Sequence, residues 1–90
     1  MSIQRHFTGT EWEPKVGYCR AIKAGNMIYL SGTAPVGEDG NTHAPGDGYA
    51  QARRCFEIVE LALEAMGAGR QQVVRTRMYV TDISRWQEYG

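Results

Sequence analysis

The sequence has no long hydrophobic run, little cysteine and no excess of charge of either sign. No apolar stretch approaches the roughly 20 residues that a membrane-spanning helix needs. The polar segment 1–15 also lacks the apolar run of about seven residues that a signal peptide needs. With ten Lys and Arg against ten Asp and Glu, the chain offers no strong electrostatic attraction to nucleic acid or to an acidic membrane surface. These absences predict a cytoplasmic protein that binds neither membranes nor nucleic acid.

Residues that could bind metal or form a disulfide framework are also few. Cys19 and Cys55 lie 36 positions apart and form no CxxC motif, and His6 and His43 have no companion ligands nearby in the sequence. We expect both thiols to be reduced and Cys55 to be packed rather than nucleophilic. The motifs GxxxxGK[ST], GxGxxG, HExxH and GxSxG are absent, which excludes the commonest nucleotide, zinc-protease and serine-hydrolase sites at the level of motifs.

The length of 90 residues predicts a single domain, 1–90, with a small core. A chain this short buries only about 60 to 65% of its unfolded surface, so its stability is marginal. Because the two cysteines give no reason to expect a disulfide, we expect subunit association to supply part of the stability.

The first half of the chain predicts strands and loops. Residues 3–8 are a weak strand candidate, and residues 18–31 predict a β-hairpin whose tight turn is Gly25-Asn26. Residues 32–46 are rich in glycine and proline and predict a loop.

A long amphipathic helix follows, from Gly48 to Met66. Asp47 is placed to cap its start and Gly67 to end it in a positive-φ conformation. Arg53 and Glu57 have the spacing of an i,i+4 ion pair. The apolar positions form a single stripe at steps of three and one: Ala52, Cys55, Phe56, Val59, Ala62, Leu63 and Met66.

Residues 72–82 alternate in polarity as a strand does, with one apolar face to cover the helix stripe. Ser84 is placed to cap a final short helix. The order of elements predicts an α+β fold of two layers, with helices on one face of a small sheet. Three or four strands are too few to cover the long helix, so further chain or a partner must complete the cover.

Two places could carry chemistry. The exit of the hairpin, Leu30-Ser31-Gly32-Thr33, presents a hydroxyl and a glycine that lets a ligand approach the backbone, although a simple turn would have the same sequence. Arg75 and Arg77 lie on one face of the strand at 72–82, where they could remain solvated or could meet an anionic ligand or a neighbouring subunit.

Several segments, in order and with the right spacing, resemble the RidA/YjgF family, whose members have been described as endoribonuclease L-PSP or translation inhibitors. The similarity covers about residues 17–86. The segments 24–32 and 73–82 together form a specific signature, although each of the two alone is a weak signal. It rests on Ala24-Gly25-Asn26-Met27-Ile28-Tyr29-Leu30-Ser31-Gly32, on Gln51, on Met66-Gly67-Ala68-Gly69 and on Val73-Val74-Arg75-Thr76-Arg77-Met78-Tyr79-Val80-Thr81-Asp82.

The resemblance implies a chorismate-mutase-like α+β fold with a mixed sheet and two helices, assembled as a homotrimer with ligand clefts between subunits. It implies hydrolysis of reactive enamines and imines, such as 2-aminoacrylate, to 2-keto acids and ammonia, with no metal or organic cofactor. Tyr18 falls on the family's active-site tyrosine, and Ser31 and Gly32 fall on the strand end that lines the cleft.

The resemblance also has departures. The arginine that binds the substrate carboxylate in deaminating members, and a later glutamate, would follow residue 90. We therefore expect a sequence truncated before the family's C-terminal strands, the alternative being a short variant whose missing strand is supplied from elsewhere. Gly90 stands about where those members have a cleft asparagine. Arg77 could replace the missing arginine that binds the substrate carboxylate, if it faces the cleft.

Two further functions remain open. A trimeric module that binds small molecules or regulates through the same cleft, without turnover, is the alternative to a deaminase. Ribonuclease or translational inhibition is the weakest hypothesis, because the charge is balanced, the arginines are scattered and no acid–base pair is evident.

Overall fold

The structure, a computed structural model, describes residues 3–9 and 19–90. Its sheet has three antiparallel strands, β1 (Ile3–His6), β2 (Ala21–Ala24) and β3 (Met27–Leu30), in the order β1-β2-β3. The strand predicted at 3–8 and the hairpin predicted at 18–31 are therefore confirmed within the described residues, with shorter strands. Over those residues the sheet is antiparallel throughout rather than mixed.

The hairpin turn has two residues, Gly25 and Asn26, between the paired residues Ala24 and Met27. Gly25 adopts a φ of 63°, a conformation that costs glycine little because it has no Cβ. A two-residue turn with positive φ matches the twist of the two strands, which fixes their register. The register then places Ser31 directly after β3, with its N–H donating to the carbonyl of Arg20 at 3.1 Å.

Helix α1 (Gly48–Ala65) is confirmed at both ends. The N–H of Ala50 donates to Asp47 Oδ1 at 3.0 Å, as an N-cap requires. Gly67 has a φ of 80°, and the N–H of Ala68 donates to the carbonyl of Leu63 at 2.8 Å. This is the Schellman geometry, in which a left-handed glycine satisfies the last carbonyls of a helix.

The apolar stripe of α1 is only partly buried. Ala62 and Leu63 are buried, as is Ala21 in β2, and these three are the buried apolar residues among those described. Phe56, predicted to lie in the buried stripe, is instead 45% exposed. The ion pair between Arg53 and Glu57 is present at 3.7 Å on the exposed side of the helix.

The strand predicted at 72–82 is wrong. Residues 70–72 form a 3₁₀ turn (Arg70–Gln72), and residues 73–80 have no regular structure and pair with no strand of the described chain. Val74 is 86% exposed, so it does not cover the apolar stripe of α1. A strand is stable only when a neighbour satisfies its backbone groups, and no described segment does so here.

The chain ends in a 3₁₀ turn (Ile83–Arg85) that continues into the short helix α2 (Trp86–Tyr89). The predicted helix start is confirmed but its cap is corrected: Asp82 accepts from the N–H of Ser84, so Asp82 rather than Ser84 is the cap. The carboxylate reaches the second N–H of the turn, a position that the Ser84 hydroxyl cannot cap from within it.

The three-stranded sheet and the helices confirm the predicted α+β class. No helix among residues 3–9 and 19–90 is long and apolar enough to cross a membrane.

Candidate functional site

The exit of the hairpin is held by a group of hydrogen bonds. Ser31 Oγ donates to the carbonyl of Cys19 at 2.7 Å, and Thr33 Oγ1 donates to the carbonyl of Ser31 at 3.1 Å. Ser31 is half-buried and Gly32 is exposed. The predicted ligand-binding segment therefore lies against the chain that immediately follows Tyr18.

Tyr18 itself, the predicted catalytic residue, lies outside the described residues, so its role stays a prediction. Its neighbour Cys19 supplies the carbonyl that accepts from Ser31. The backbone next to the predicted tyrosine is therefore tied to the predicted ligand-binding serine.

Arg20 is a member of this group that the sequence analysis did not single out. Its guanidinium Nη2 donates to the carbonyl of Gly32, and its side chain is buried, with 7% of the residue exposed. The alternation of residues in the hairpin does not indicate that Arg20 is buried, because an arginine at the start of a strand is usually solvated. Only the contact with Gly32, twelve positions away, reveals that it supports the site.

The loop after Gly32 is attached to α1 at successive turns of the helix. Gln51 Nε2 donates to the carbonyl of His43 at 3.2 Å, Arg54 Nε donates to that of Val36 at 2.7 Å, and Cys55 Sγ donates to that of Thr33 at 3.4 Å. Burial raises the pKa of the Cys55 thiol. Cys55 is thus a packed, protonated hydrogen-bond donor, as the sequence predicted, and helps to hold the segment that begins at Ser31.

Arg77 lies apart from this group. It is exposed, and its Nη1 donates to the Tyr79 hydroxyl at 3.3 Å. No hydrogen bond among residues 3–9 and 19–90 joins Arg77 to Ser31 or Gly32. Within the described chain, the structure therefore does not bring Arg77, the residue predicted to bind a substrate carboxylate, to the hairpin exit.

Gly90 ends the turn 82–90, which packs on the start of α1. Its N–H donates to the carbonyl of Trp86 at 3.0 Å. Arg85 binds both carboxylate oxygens of Glu88 and donates to the carbonyl of Gly46 at 3.0 Å. The hydrogen bond from Arg85 holds the pKa of the Glu88 carboxyl below its ordinary value. The position of Gly90 is therefore set by its backbone hydrogen bond to Trp86 and by the contact of Arg85 with Gly46.

The described residues hold no group of three or more His, Cys, Asp and Glu side chains that could bind a metal ion. No imidazole or carboxylate in that part of the chain is hydrogen-bonded to Ser31 Oγ, which donates instead to a carbonyl. A serine without an adjacent base is a poor nucleophile. The described contacts of Ser31 therefore give no support for a covalent intermediate formed through its hydroxyl.

Comparison with known proteins gives consistent matches. The model of the family described as Endoribonuclease L-PSP matches residues 8–90. A RutC family protein from Pyrococcus abyssi is 35% identical over 77 residues, covering 83% of this chain and 61% of the relative. An uncharacterised Streptomyces coelicolor protein is 31% identical over 77 residues, covering 86% of this chain and 57% of the relative.

The fold agrees with a solved structure. A Mycobacterium tuberculosis member of the YjgF/YER057c/UK114 family superposes with a TM-score of 0.84 at 41% identity, covering 98% of this chain and 68% of that one. The chain spans about three fifths of the length of the curated relatives that it matches. On these matches, the chain belongs to the Endoribonuclease L-PSP family, also called YjgF or RutC.

Proposed function

We propose that the chain contributes to hydrolytic deamination of reactive imines and enamines of the 2-aminoacrylate type, releasing 2-keto acids and ammonia. The observation that supports the proposal, beside family membership, is the bond from Ser31 Oγ to the carbonyl of Cys19. It leaves the Ser31 oxygen as a hydrogen-bond acceptor at the edge of the hairpin.

The reaction asks little of the protein. The carbon of a protonated imine is already electrophilic, so binding of the substrate carboxylate and orientation of one water molecule would accelerate hydrolysis. The Ser31 oxygen can accept from the N–H of the imine, because its own proton is directed at Cys19. The water supplies the oxygen of the keto acid, and the nitrogen leaves as ammonia.

The remaining roles follow from the sequence. Tyr18 would order the water or the leaving ammonia, since a phenol near neutral pH is a hydrogen-bond donor and acceptor rather than a strong base. Arg77 Nη1 donates a hydrogen bond to the Tyr79 hydroxyl. The guanidinium has further N–H groups that can bind a carboxylate. Arg77 does not reach Ser31 within the described chain, so its proposed role requires that a cleft between subunits of a homotrimer bring the two residues together from different subunits.

The test uses a dehydratase that releases 2-iminobutanoate from an amino acid, with keto-acid formation followed in the presence and absence of the protein. We expect the protein to accelerate keto-acid release and Ser31→Ala to reduce that acceleration about tenfold. Ser84→Ala is the matched control, because it removes a hydroxyl that is also hydrogen-bonded locally, to Asp82, but on the far turn. No acceleration by the wild-type protein, or an equal loss in both variants, would contradict the proposal.

A binding module without turnover is the second candidate. It is favoured by Gly90, which has no side chain at the position where the resemblance places a cleft asparagine. Such a module would be stabilised by 2-oxobutanoate in a thermal melt, since a ligand that binds only the folded state raises the melting temperature. Stabilisation without acceleration of imine hydrolysis would select this second function over the first.

A further inference from the structure

Arg20 is the one charged residue that is buried among residues 3–9 and 19–90. Burial of a guanidinium is costly unless hydrogen bonds replace its water. A buried arginine in so small a core therefore asks for an explanation in terms of what it contacts.

The fold fixes Arg20 through its backbone. Its N–H donates to the carbonyl of His6 at 2.7 Å, and its own carbonyl accepts from the N–H of Ser31 at 3.1 Å. Both neighbours belong to or adjoin strands of the same sheet. The guanidinium therefore starts from a backbone position that the sheet holds in place, and it ends on the carbonyl of Gly32.

Gly32 needs such a support. Glycine samples more backbone conformations than any other residue. Apart from its chain neighbours, no atom of residues 3–9 and 19–90 lies within 4 Å of where a Cβ of Gly32 would be, so side-chain packing from those residues does not restrict it. The hydrogen bond from Arg20 is the described contact that holds the Gly32 peptide group in one orientation.

The same bond acts on the next amide. The carbonyl of Gly32 and the N–H of Thr33 belong to one trans peptide group, in which they point in opposite directions. A charged donor on the carbonyl polarises that group and makes its N–H a stronger donor. The Thr33 N–H donates to no atom of the described chain, so it is available to an acceptor oxygen of a ligand.

We propose that Arg20 is a positioning residue: it orients the Gly32–Thr33 peptide group from behind, so that this group presents a polarised N–H to a ligand carboxylate or carbonyl oxygen. The ligand class rests on the proposed function, whereas the orientation of the peptide group does not. Arg20 itself touches no substrate in this arrangement.

The first test needs no ligand and no variant. In the wild-type protein, NMR should show a contact between the Arg20 guanidinium protons and the Gly32 Hα, and its absence would overturn the proposal. The chemical shift of the Thr33 amide proton then compares variants. In Arg20→Gln we expect this resonance to move upfield by more than amides inside α1 move, because the charged donor that polarises the Gly32–Thr33 peptide group is lost.

Two variants serve as controls. Arg20→Lys keeps one charged donor and should restore part of the Thr33 shift, and it also decides the matter if Arg20→Gln does not fold. Arg54→Gln removes a guanidinium that likewise donates to a loop carbonyl, that of Val36, and should leave the Thr33 amide resonance unchanged. Equal effects of Arg20→Gln and Arg54→Gln, or no recovery in Arg20→Lys, would contradict a specific role for Arg20.

Binding of 2-oxobutanoate separates this inference from the proposed function. We expect its dissociation constant to rise about tenfold in Arg20→Gln, and in a turnover assay KM to rise more than kcat falls. If the amides respond as predicted but the wild-type protein neither binds 2-oxobutanoate nor accelerates imine hydrolysis, the proposed function fails and the orienting role of Arg20 stands. If the wild-type protein binds it and Arg20→Gln binds it equally well, the role in ligand binding fails.

Discussion

The ring of Tyr89 lies directly over Gly48, at the first turn of α1. A Cβ at position 48 would be 2.5 Å from Tyr89 Cε1 and 3.1 Å from Cδ1, and Gly48 is buried. The Tyr89 hydroxyl donates to the carbonyl of Asp82 at 3.0 Å, which holds the ring in this place. The absence of a side chain at position 48 is thus what allows α2 to pack on α1.

The first prediction concerns this contact. Gly48→Ala should displace the Tyr89 ring and weaken the packing of residues 82–90 by about 1–3 kcal/mol, as overpacking does elsewhere. Hydrogen exchange of amides in α2, compared with amides in the middle of α1, measures the effect. In the background of Tyr89→Ala the same substitution should be neutral or slightly stabilising, because alanine favours helix over glycine. Additive effects of the two substitutions would contradict the contact.

The second prediction concerns the start of α1. Asp47→Ala removes the carboxylate that accepts from the N–H of Ala50, and it should lower the free energy of unfolding by about 1 kcal/mol. Urea unfolding followed by circular dichroism measures this. Asp47→Asn keeps a capping oxygen and should recover most of the loss. A loss as large in Asp47→Asn as in Asp47→Ala would show that charge rather than capping is responsible.

The third prediction concerns Cys55. Burial raises the pKa of its thiol above the ordinary value of 9.0, so the folded protein binds this proton more tightly than the unfolded chain does. The associated stability is present below pH 9 and is lost as pH rises through the higher pKa of the folded state. Alkylation by iodoacetamide near pH 8, followed by mass spectrometry of the modified peptide, should be slower at Cys55 than in a peptide of residues 51–59. Equal rates would contradict the packed position.

The fourth prediction concerns acid. The bond from Arg85 lowers the pKa of Glu88, so the stability that this pair adds is present above the ordinary carboxyl pKa and is lost as pH falls through the lowered value. The Glu88 carboxyl ¹³C resonance should titrate below pH 4.5 while amides of α2 lose protection. Glu88→Gln should remove most of that pH dependence. The remainder belongs to Asp82, whose pKa is lowered by its bonds from Ser84.

The elements that the sequence predicted correctly are those whose signals are local. The hairpin rests on two turn residues, and α1 rests on a cap, a terminating glycine and a periodic stripe between them. The strand predicted at 72–82 failed because alternation indicates only that a segment could pair. The pairing depends on another strand, which no local pattern supplies.

For the candidate site, the local signals were again the ones that the sequence revealed. Ser31 and Gly32 stand out as a hydroxyl and a glycine at a strand end, and the structure finds them held in place. Arg20 does not stand out, because its contact joins residues twelve positions apart through the register of the hairpin. Side chains that support a site from behind carry no pattern of their own in a single sequence.

The loop that follows Gly32 is fastened to α1 at Thr33, Val36 and His43, and the exposed turn at Asp39–Gly40 lies between the last two of these points. A protease that cuts this turn would create two new ends, each still anchored to the same helix. The nicked protein should therefore hold its fragments together during gel filtration and separate them only in denaturant. The glycine-rich loop is thus attached to the helix on both sides of its exposed turn. A peptide tag inserted at this turn should therefore leave both attachments in place.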